Sequence, residues 1–239
     1  MKTRNITLFT AIAAAAAFAS SAQAVVLSDG HTGDYRIIFV TLGNTLAQDT
    51  GIAFYNSFVS TEAGLAGSTE TKDLATTWTA VGSTLLTSAA VNTGTTGAGT
   101  DIHIYTPTTT SGTYQLVATS YTDLWDSSIA SGIRYGDGSL SDEANGGGDQ
   151  IWTGTHTDGS TRGAGLDGSY LGSGPNGDDT ASYMTIVRGG KTDGGWITGP
   201  SDHDGQSKNM MAMSGVIPEP SSLSLLAIGG LALLRRRRA

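Results

Sequence analysis

The chain contains no cysteine in 239 residues. That excludes disulfides, zinc–thiolate sites and cysteine nucleophiles, so the fold must hold by burial of its core. Proline is scarce, at five residues, and aromatics make up 7%. Recognisable catalytic patterns are also missing. His31, His103, His156 and His203 are scattered, and none stands in an H-E-x-x-H pattern. There is no G-x-S-x-G, no P-loop, and no glycine loop between a strand and a helix. The sequence therefore offers no catalytic residue and no metal ligand set, and a non-enzymatic body is expected.

Positive charge is scarce where it matters. Six of the 13 Lys and Arg lie at the chain ends, against only Glu219 of the 21 acids. The central body then carries 7 basic and 20 acidic residues, a net of −13. Such a surface repels phosphate backbones, so nucleic acid is not an expected partner.

Both ends read as addresses. Met1 to Arg4 carries two positive charges, an Ala-rich apolar run follows, and "SAQA" precedes Val25. A basic start, a short apolar run and a small-x-small site make a secretory signal peptide over residues 1–24, cut between Ala24 and Val25. The far end reads "VIPEPSSLSLLAIGGLALLRRRRA". Pro218, Glu219 and Pro220 cannot continue a helix or a central strand. Leu223 to Leu234 is a 12-residue apolar run, about 18 Å as a helix against ~30 Å of hydrocarbon. Arg235, Arg236, Arg237 and Arg238 stay cytoplasmic and orient the run. The expectation is a short, temporary membrane anchor over residues 217–239.

This ordered trio resembles the PEP-CTERM sorting signal of Gram-negative bacteria. The resemblance implies recognition by an exosortase-type membrane protease, transient residence in the inner membrane, cleavage near the motif, and release to the envelope or an extracellular polysaccharide matrix. Pro218, Glu219 and Pro220 match the motif residue by residue.

The body, residues 25–216, has a length that suits one globular domain. Asp34 to Thr41 reads as a β-branched strand. Ile52, Tyr55, Phe58 and Val59 make one stripe if Asp49 to Ala63 is a helix, with Asp49 or Thr50 as N-cap and Gly64 as the stop. "TTWTAVG" predicts a strand with Trp78 and Ala80 on one face, and the Thr/Gly-rich stretch after it a loop. "DIHIYTP", "TYQLVATS", "QIWTGT", "SYMTIV", "GGWITG" and "KNMMAMSGVI" predict further short strands. "YTDLWDSSIASGI" reads as an aromatic-rich connection. Long Gly/Asp-rich turns need anchors, and Trp125, Trp152 and Trp196 are the obvious ones. The fold class is α+β, with one or two helices and many short strands; an all-β sandwich is the alternative.

The order of "YNSFVSTEAGLAG", "TWTAVGST", "LVATSYTDLWDSSI", "QIWTGTHTDGS" and "MMAMSGV" resembles exported bacterial domains of C-type-lectin-like, endostatin-like fold. That implies an early helix after the first strand and a last strand returning close to where the chain began. It suggests a structural, adhesive or carbohydrate-binding module; a secreted hydrolase acting on matrix polysaccharide is the alternative. Many such domains carry disulfides across the long loops, and this chain has none.

Two loop chemistries compete with plain turns. Asp137, Asp142, Glu143, Asp178, Asp179, Asp202 and Asp204 cluster as calcium prefers, yet Asp-Gly is also ordinary turn chemistry. No cofactor is expected, and calcium is the one ion these loops would suit. Trp152, Trp196, Tyr170 and Tyr183 are either faces for stacking sugars or core anchors.

Overall fold

The computed structural model describes residues 25–65, 70–97, 101–140, 150–163, 169–173, 183–188, 190–203 and 205–218. Within them the chain forms β1 (Val26–Leu27), β2 (Tyr35–Val40), α1 (Ile52–Ala63), β3 (Trp78–Ala80) and α2 (Ala89–Thr93). Then come β4 (His103–Pro107), β5 (Thr113–Ala118), α3 (Tyr121–Leu124), β6 (Gln150–Trp152) and β7 (Tyr183–Arg188). A 3₁₀ turn (Gly194–Trp196), β8 (Ser201–His203) and β9 (Asn209–Ser214) complete the order.

The strands form one mixed sheet in the order β1-β5-β4-β2-β9-β6-β7-β8, with β3 also on β9. The architecture is mostly sheet with some helix. α1 removes the all-β alternative, and the physical reason lies in its stripe. Tyr55, Val59, Glu62 and Ala63 are buried on one face, while Ile52 and Phe58 pack at its margin.

β2 and β9 lie antiparallel at the centre, and every residue of both is buried. That explains why "YRIIFV" and "NMMAMS" lack a polar face: both sides of these strands are covered. On one side Ile38, Val40, Ile104, Met211 and Met213 meet Leu124, Ile133 and Trp196. On the other Tyr35, Ile37, Phe39, Met210 and Ala212 meet Tyr55 and Val59 of α1, with Trp78 and Ala80. Trp78 and Ala80 thus share a face, as their spacing requires.

β3 is held from outside by amides rather than by another strand. The Ala80 N–H donates to Asn56 Oδ1 at 2.8 Å, and Asn92 Nδ2 donates to the Ala80 carbonyl at 2.7 Å. Ser60 Oγ donates to the Trp78 carbonyl at 3.1 Å. One residue from each of α1's middle turns and one from α2 therefore replace a missing ladder.

Four expectations need correction. The N-cap of α1 is Gly51, not Asp49 or Thr50. Asp49 sits two residues earlier and accepts the Gly51 N–H at 2.7 Å, so its carboxylate shapes the turn before the helix. The stretch after β3 is not all loop, because Ser88 caps α2 and Gly94 ends it in the left-handed region. The aromatic connection contains the single turn α3, capped by Ser120. "GGWITG" forms a 3₁₀ turn instead of a strand, because the Asp193 carboxylate accepts the Gly195 N–H and folds the two glycines back.

The helix stop at Gly64 stands. Ile102 and Ile104 pack on the same side of the sheet.

Candidate functional site

The strongest functional signal in the sequence is the tail, so the point where it leaves the body is the candidate site. β9 ends at Ser214, and the Gly215 N–H donates to the Thr77 carbonyl at 2.8 Å. Two residues on, Ile217 forms an antiparallel bridge with Tyr35. The Ile217 N–H donates to the Tyr35 carbonyl at 2.8 Å, and the Tyr35 N–H donates back at 3.1 Å. Ile217 also packs against the α1-side core, as do Val25 and Leu27. Pro218 is exposed. Both ends of the body thus meet on one face of the sheet.

A cluster of titratable side chains lies one strand away. In the parallel β2–β4 register Tyr35 stands opposite His103, so His103, Tyr35 and Ile217 occupy three adjacent strand positions. His103 Nδ1 lies 2.9 Å from Asp29 Oδ2 and 3.1 Å from the Tyr105 hydroxyl. That hydroxyl donates to Asp29 Oδ1 at 2.8 Å, and the His31 N–H donates to the same oxygen at 3.1 Å. His31 stacks on His103 with ring centroids 3.8 Å apart and planes 15° from parallel. Tyr105 meets Tyr35 edge to face at 6.1 Å.

The electrostatics follow from these contacts. Partial burial opposes the charge on Asp29, but the His31 amide, the Tyr105 hydroxyl and the His103 ring outweigh it. Together they hold its carboxyl below the ordinary range. Burial first, and the Asp29 carboxylate second, push the Tyr105 phenol well above its ordinary value. Tyr105 therefore remains a donor.

The contacts of the cluster fasten one segment of the chain to another. Lone pairs of imidazole lie in the ring plane, so two stacked rings aim theirs side by side instead of at one ion. Among the described residues, no group of three His, Asp or Glu is placed to hold a metal. What the contacts do is tie the loop before β2 onto β4. In the sequence His31 and His103 are only two of four scattered histidines. Asp29 and His103 are 74 positions apart, and only the β2–β4 pairing brings them together.

Other expected sites fare differently. The Asp137 carboxylate accepts both the N–H and the hydroxyl of Ser139, at 2.9 and 2.6 Å. Asp126 with Ser128 and Asp158 with Ser160 repeat the same turn. The two Ser160 donors hold the Asp158 carboxyl below its ordinary range. In these three turns the acid serves its own backbone. Asp142, Glu143, Asp178, Asp179 and Asp204 lie outside the described residues, and Asp202 lies in β8.

Trp152 and Trp196 are both 0% exposed, so neither offers a face to a sugar. Trp125 is half-buried, stacks on Trp196 at 5.6 Å, and donates its indole N–H to Thr95 Oγ1 at 2.9 Å. The three tryptophans are anchors. Tyr170 is half-buried, and Tyr183 lies in β7. An open cleft of about 280 Å³ lies by β7, lined by Gln150, Ile186, Arg188, Lys191 and Pro200 among others. It shares no residue with the histidine cluster.

Of the expected sorting residues, Pro218 and Val25 are described. Ala24, Glu219, Pro220, Leu223, Leu234, Arg235, Arg236, Arg237 and Arg238 lie outside the described residues. Among the described residues no helix is long and apolar enough to cross a membrane.

Residues 216–238 match the PEP-CTERM protein-sorting motif. The match begins one residue before the Ile217 bridge, so motif and body meet at the exit point. No curated protein matches the chain. The motif marks an exported protein processed by exosortase, a membrane-associated partner, and bound for the cell envelope or extracellular space.

Proposed function

We propose that the protein is a structural or adhesive component of the envelope or extracellular matrix, delivered by its tail. The carrying observation is the sorting motif at residues 216–238 leaving the body at an exposed Pro218. In this reading residues 1–24 are a signal peptide cut between Ala24 and Val25. Leu223 to Leu234 holds the chain transiently in the inner membrane, and Arg235 to Arg238 keeps its end cytoplasmic. The body, 25–216, is non-enzymatic, and its fold is C-type-lectin-like. Three features support that fold: an early helix between β2 and β3, the β4–β5 hairpin followed by "DLWD", and a last strand beside the first long one.

Surface chemistry favours protein contact over sugar stacking. The large tryptophans of the loop half are inside, while Leu85, Leu86 and Val91 are exposed, Leu86 at 90%. Apolar side chains held in water suit an adhesive or assembly face.

The test is fractionation of cells producing the full chain or Glu219→Ala, followed with an antibody to the body. The native chain should reach the matrix fraction, and Glu219→Ala should remain with the membrane. Equal distribution of both would defeat the sorting role. The purified body should bind matrix material without turning it over. Hydrolysis of matrix polysaccharide, lost with single carboxylate substitutions, would put a secreted hydrolase in its place.

A further inference from the structure

We propose that the cleft beside β7 is a binding site for a carboxylated sugar unit, a hexuronate of an anionic polysaccharide. The proposal rests on the matrix reading above and names the ligand class that would hold the body there. The first observation is where the body keeps its positive charge. Between residues 25 and 217 it has 7 basic residues against 20 acids. Two of the basic residues, Arg188 and Lys191, line the cleft. Two more fix its walls. Arg162 donates to the Gly199 carbonyl and, at 3.4 Å, to the Thr198 hydroxyl. Lys208 Nζ donates to Gln150 Oε1. Gly199, Thr198 and Gln150 all belong to the lining. Two lining and two bracing cations make four of the seven gathered at one opening, and among the described residues no Asp or Glu lines it.

The second observation is the polarity of the groups presented. With its oxygen held by Lys208, the Gln150 amide has its NH₂ to offer. The Thr198 hydroxyl accepts from Arg162, which leaves its own proton to donate. The Arg188 carbonyl is taken by the Lys191 N–H at 3.2 Å, and the Pro200 carbonyl by the Ile186 N–H at 2.9 Å. The Arg188 side chain is exposed, and among the described residues it has no ion-pair partner. Asp193, the acid nearest in sequence, accepts the Gly195 N–H at 3.0 Å and closes its own turn. The lining is therefore rich in donors and poor in acceptors, which selects a group that only accepts. A guanidinium fork matches the two oxygens of a carboxylate.

Ile186, Val187 and Pro200 supply the apolar part of the lining, a surface for the C–H face of a pyranose ring. The volume, about 280 Å³, falls at the small end of ligand pockets, which run from roughly 300 to 1,000 Å³. It suits one sugar unit of a chain that continues through the open side. Charge would here do what buried Trp152 and Trp196 cannot do by stacking.

Calorimetric titration with trigalacturonate tests the site. The protein is the full chain in detergent with Arg235 to Arg238 replaced by Ser, because four tail arginines would hold any polyanion. The trimer should bind, and more weakly as salt rises from about 50 to about 500 mM. Arg188→Gln should weaken binding by about tenfold or more, the scale of one charge-assisted hydrogen bond. Lys72 is exposed and outside the cleft, so Lys72→Gln should leave binding unchanged. The methyl ester of the trimer keeps the rings without the charge and should bind about tenfold more weakly or worse. No binding of the trimer, or equal losses in Arg188→Gln and Lys72→Gln, would overturn the site. Inorganic phosphate or sulfate competing as well as the trimer would overturn the uronate assignment. Failure here is separate from failure of sorting. A chain that reaches the matrix without binding the trimer sinks this site alone. Trimer binding with native chain and Glu219→Ala distributed alike would sink the sorting reading and leave the site standing.

Discussion

Trp152 is where the competing readings of the loop half can be separated by one substitution. Its indole is fully buried in β6, between β7 and β9. The indole N–H donates to the Thr45 carbonyl at 3.2 Å, and Lys208 Nζ lies 5.2 Å from the ring centre. An indole buries roughly 200–250 Å², which at ~25 cal/mol/Å² is about 5–6 kcal/mol as an upper bound. Truncation to Ala should cost about 3–5 kcal/mol, since the cavity relaxes only in part. The Thr45 carbonyl also accepts the Lys208 N–H at 3.0 Å, so no buried acceptor is orphaned. Trp152→Phe, which keeps most of the apolar bulk, should then cost only about 1–2 kcal/mol. For a domain of this size ~1 kcal/mol moves the midpoint by about 2–4 °C. Thermal unfolding followed by far-ultraviolet circular dichroism should therefore show a fall of roughly 6–20 °C for Ala and a few degrees for Phe. Binding to matrix polysaccharide would be measured beside it. An Ala variant with native stability and lost sugar binding would refute the core-anchor argument and make the indole a stacking surface.

Three further outcomes follow from particular contacts. Gly172 has φ of +75°, and a Cβ there would lie 2.3 Å from the Asp49 carbonyl oxygen. Gly172→Ala should cost more than about 2 kcal/mol, whereas Gly30→Ala, at φ +70° but in open space, should cost about 1 kcal/mol in a urea titration; equal costs would refute the close-packing argument. Asp29 has a depressed folded-state pKa, so its contribution is present above the unfolded carboxylate value of about 3.9 and is lost as pH falls through the lower folded value. Asp29→Asn should therefore flatten the native chain's stability loss below about pH 4, and identical acid profiles would disprove it. Replacing Arg235 to Arg238 with Ser should weaken membrane retention or orientation and impair sorting, and normal processing would count against the charge argument.

The address and the early fold were legible because they rest on local order. The motif at Pro218 to Pro220, the stripe of α1 and the runs of β2 and β9 carry their signal in neighbouring residues. A period of 3.6 or an unbroken apolar run states what must be buried without saying against what. The absence of cysteine likewise settled, without coordinates, that no disulfide joins any two parts of the chain. Local punctuation was also present but harder to weigh: Ser88 and Gly94 bracket a helix of only five residues, and Asp193 turned two glycines into a 3₁₀ turn where a strand was expected.

What tertiary structure decided is partnership across sequence distance. Buried tryptophan and exposed tryptophan look alike in a Gly-rich sequence; only the packing of β6 and the 3₁₀ turn put Trp152 and Trp196 inside. Asp29 and His103 acquired a relation only when β2 paired with β4. The same pairing placed them beside Tyr35, whose other edge holds Ile217. The sequence by itself determined that the chain carries a sorting signal and that its body has a core to bury. The sheet alone decided that Ile217 lies beside Tyr35, because a backbone pair between residues 35 and 217 depends on the register of the strands around it.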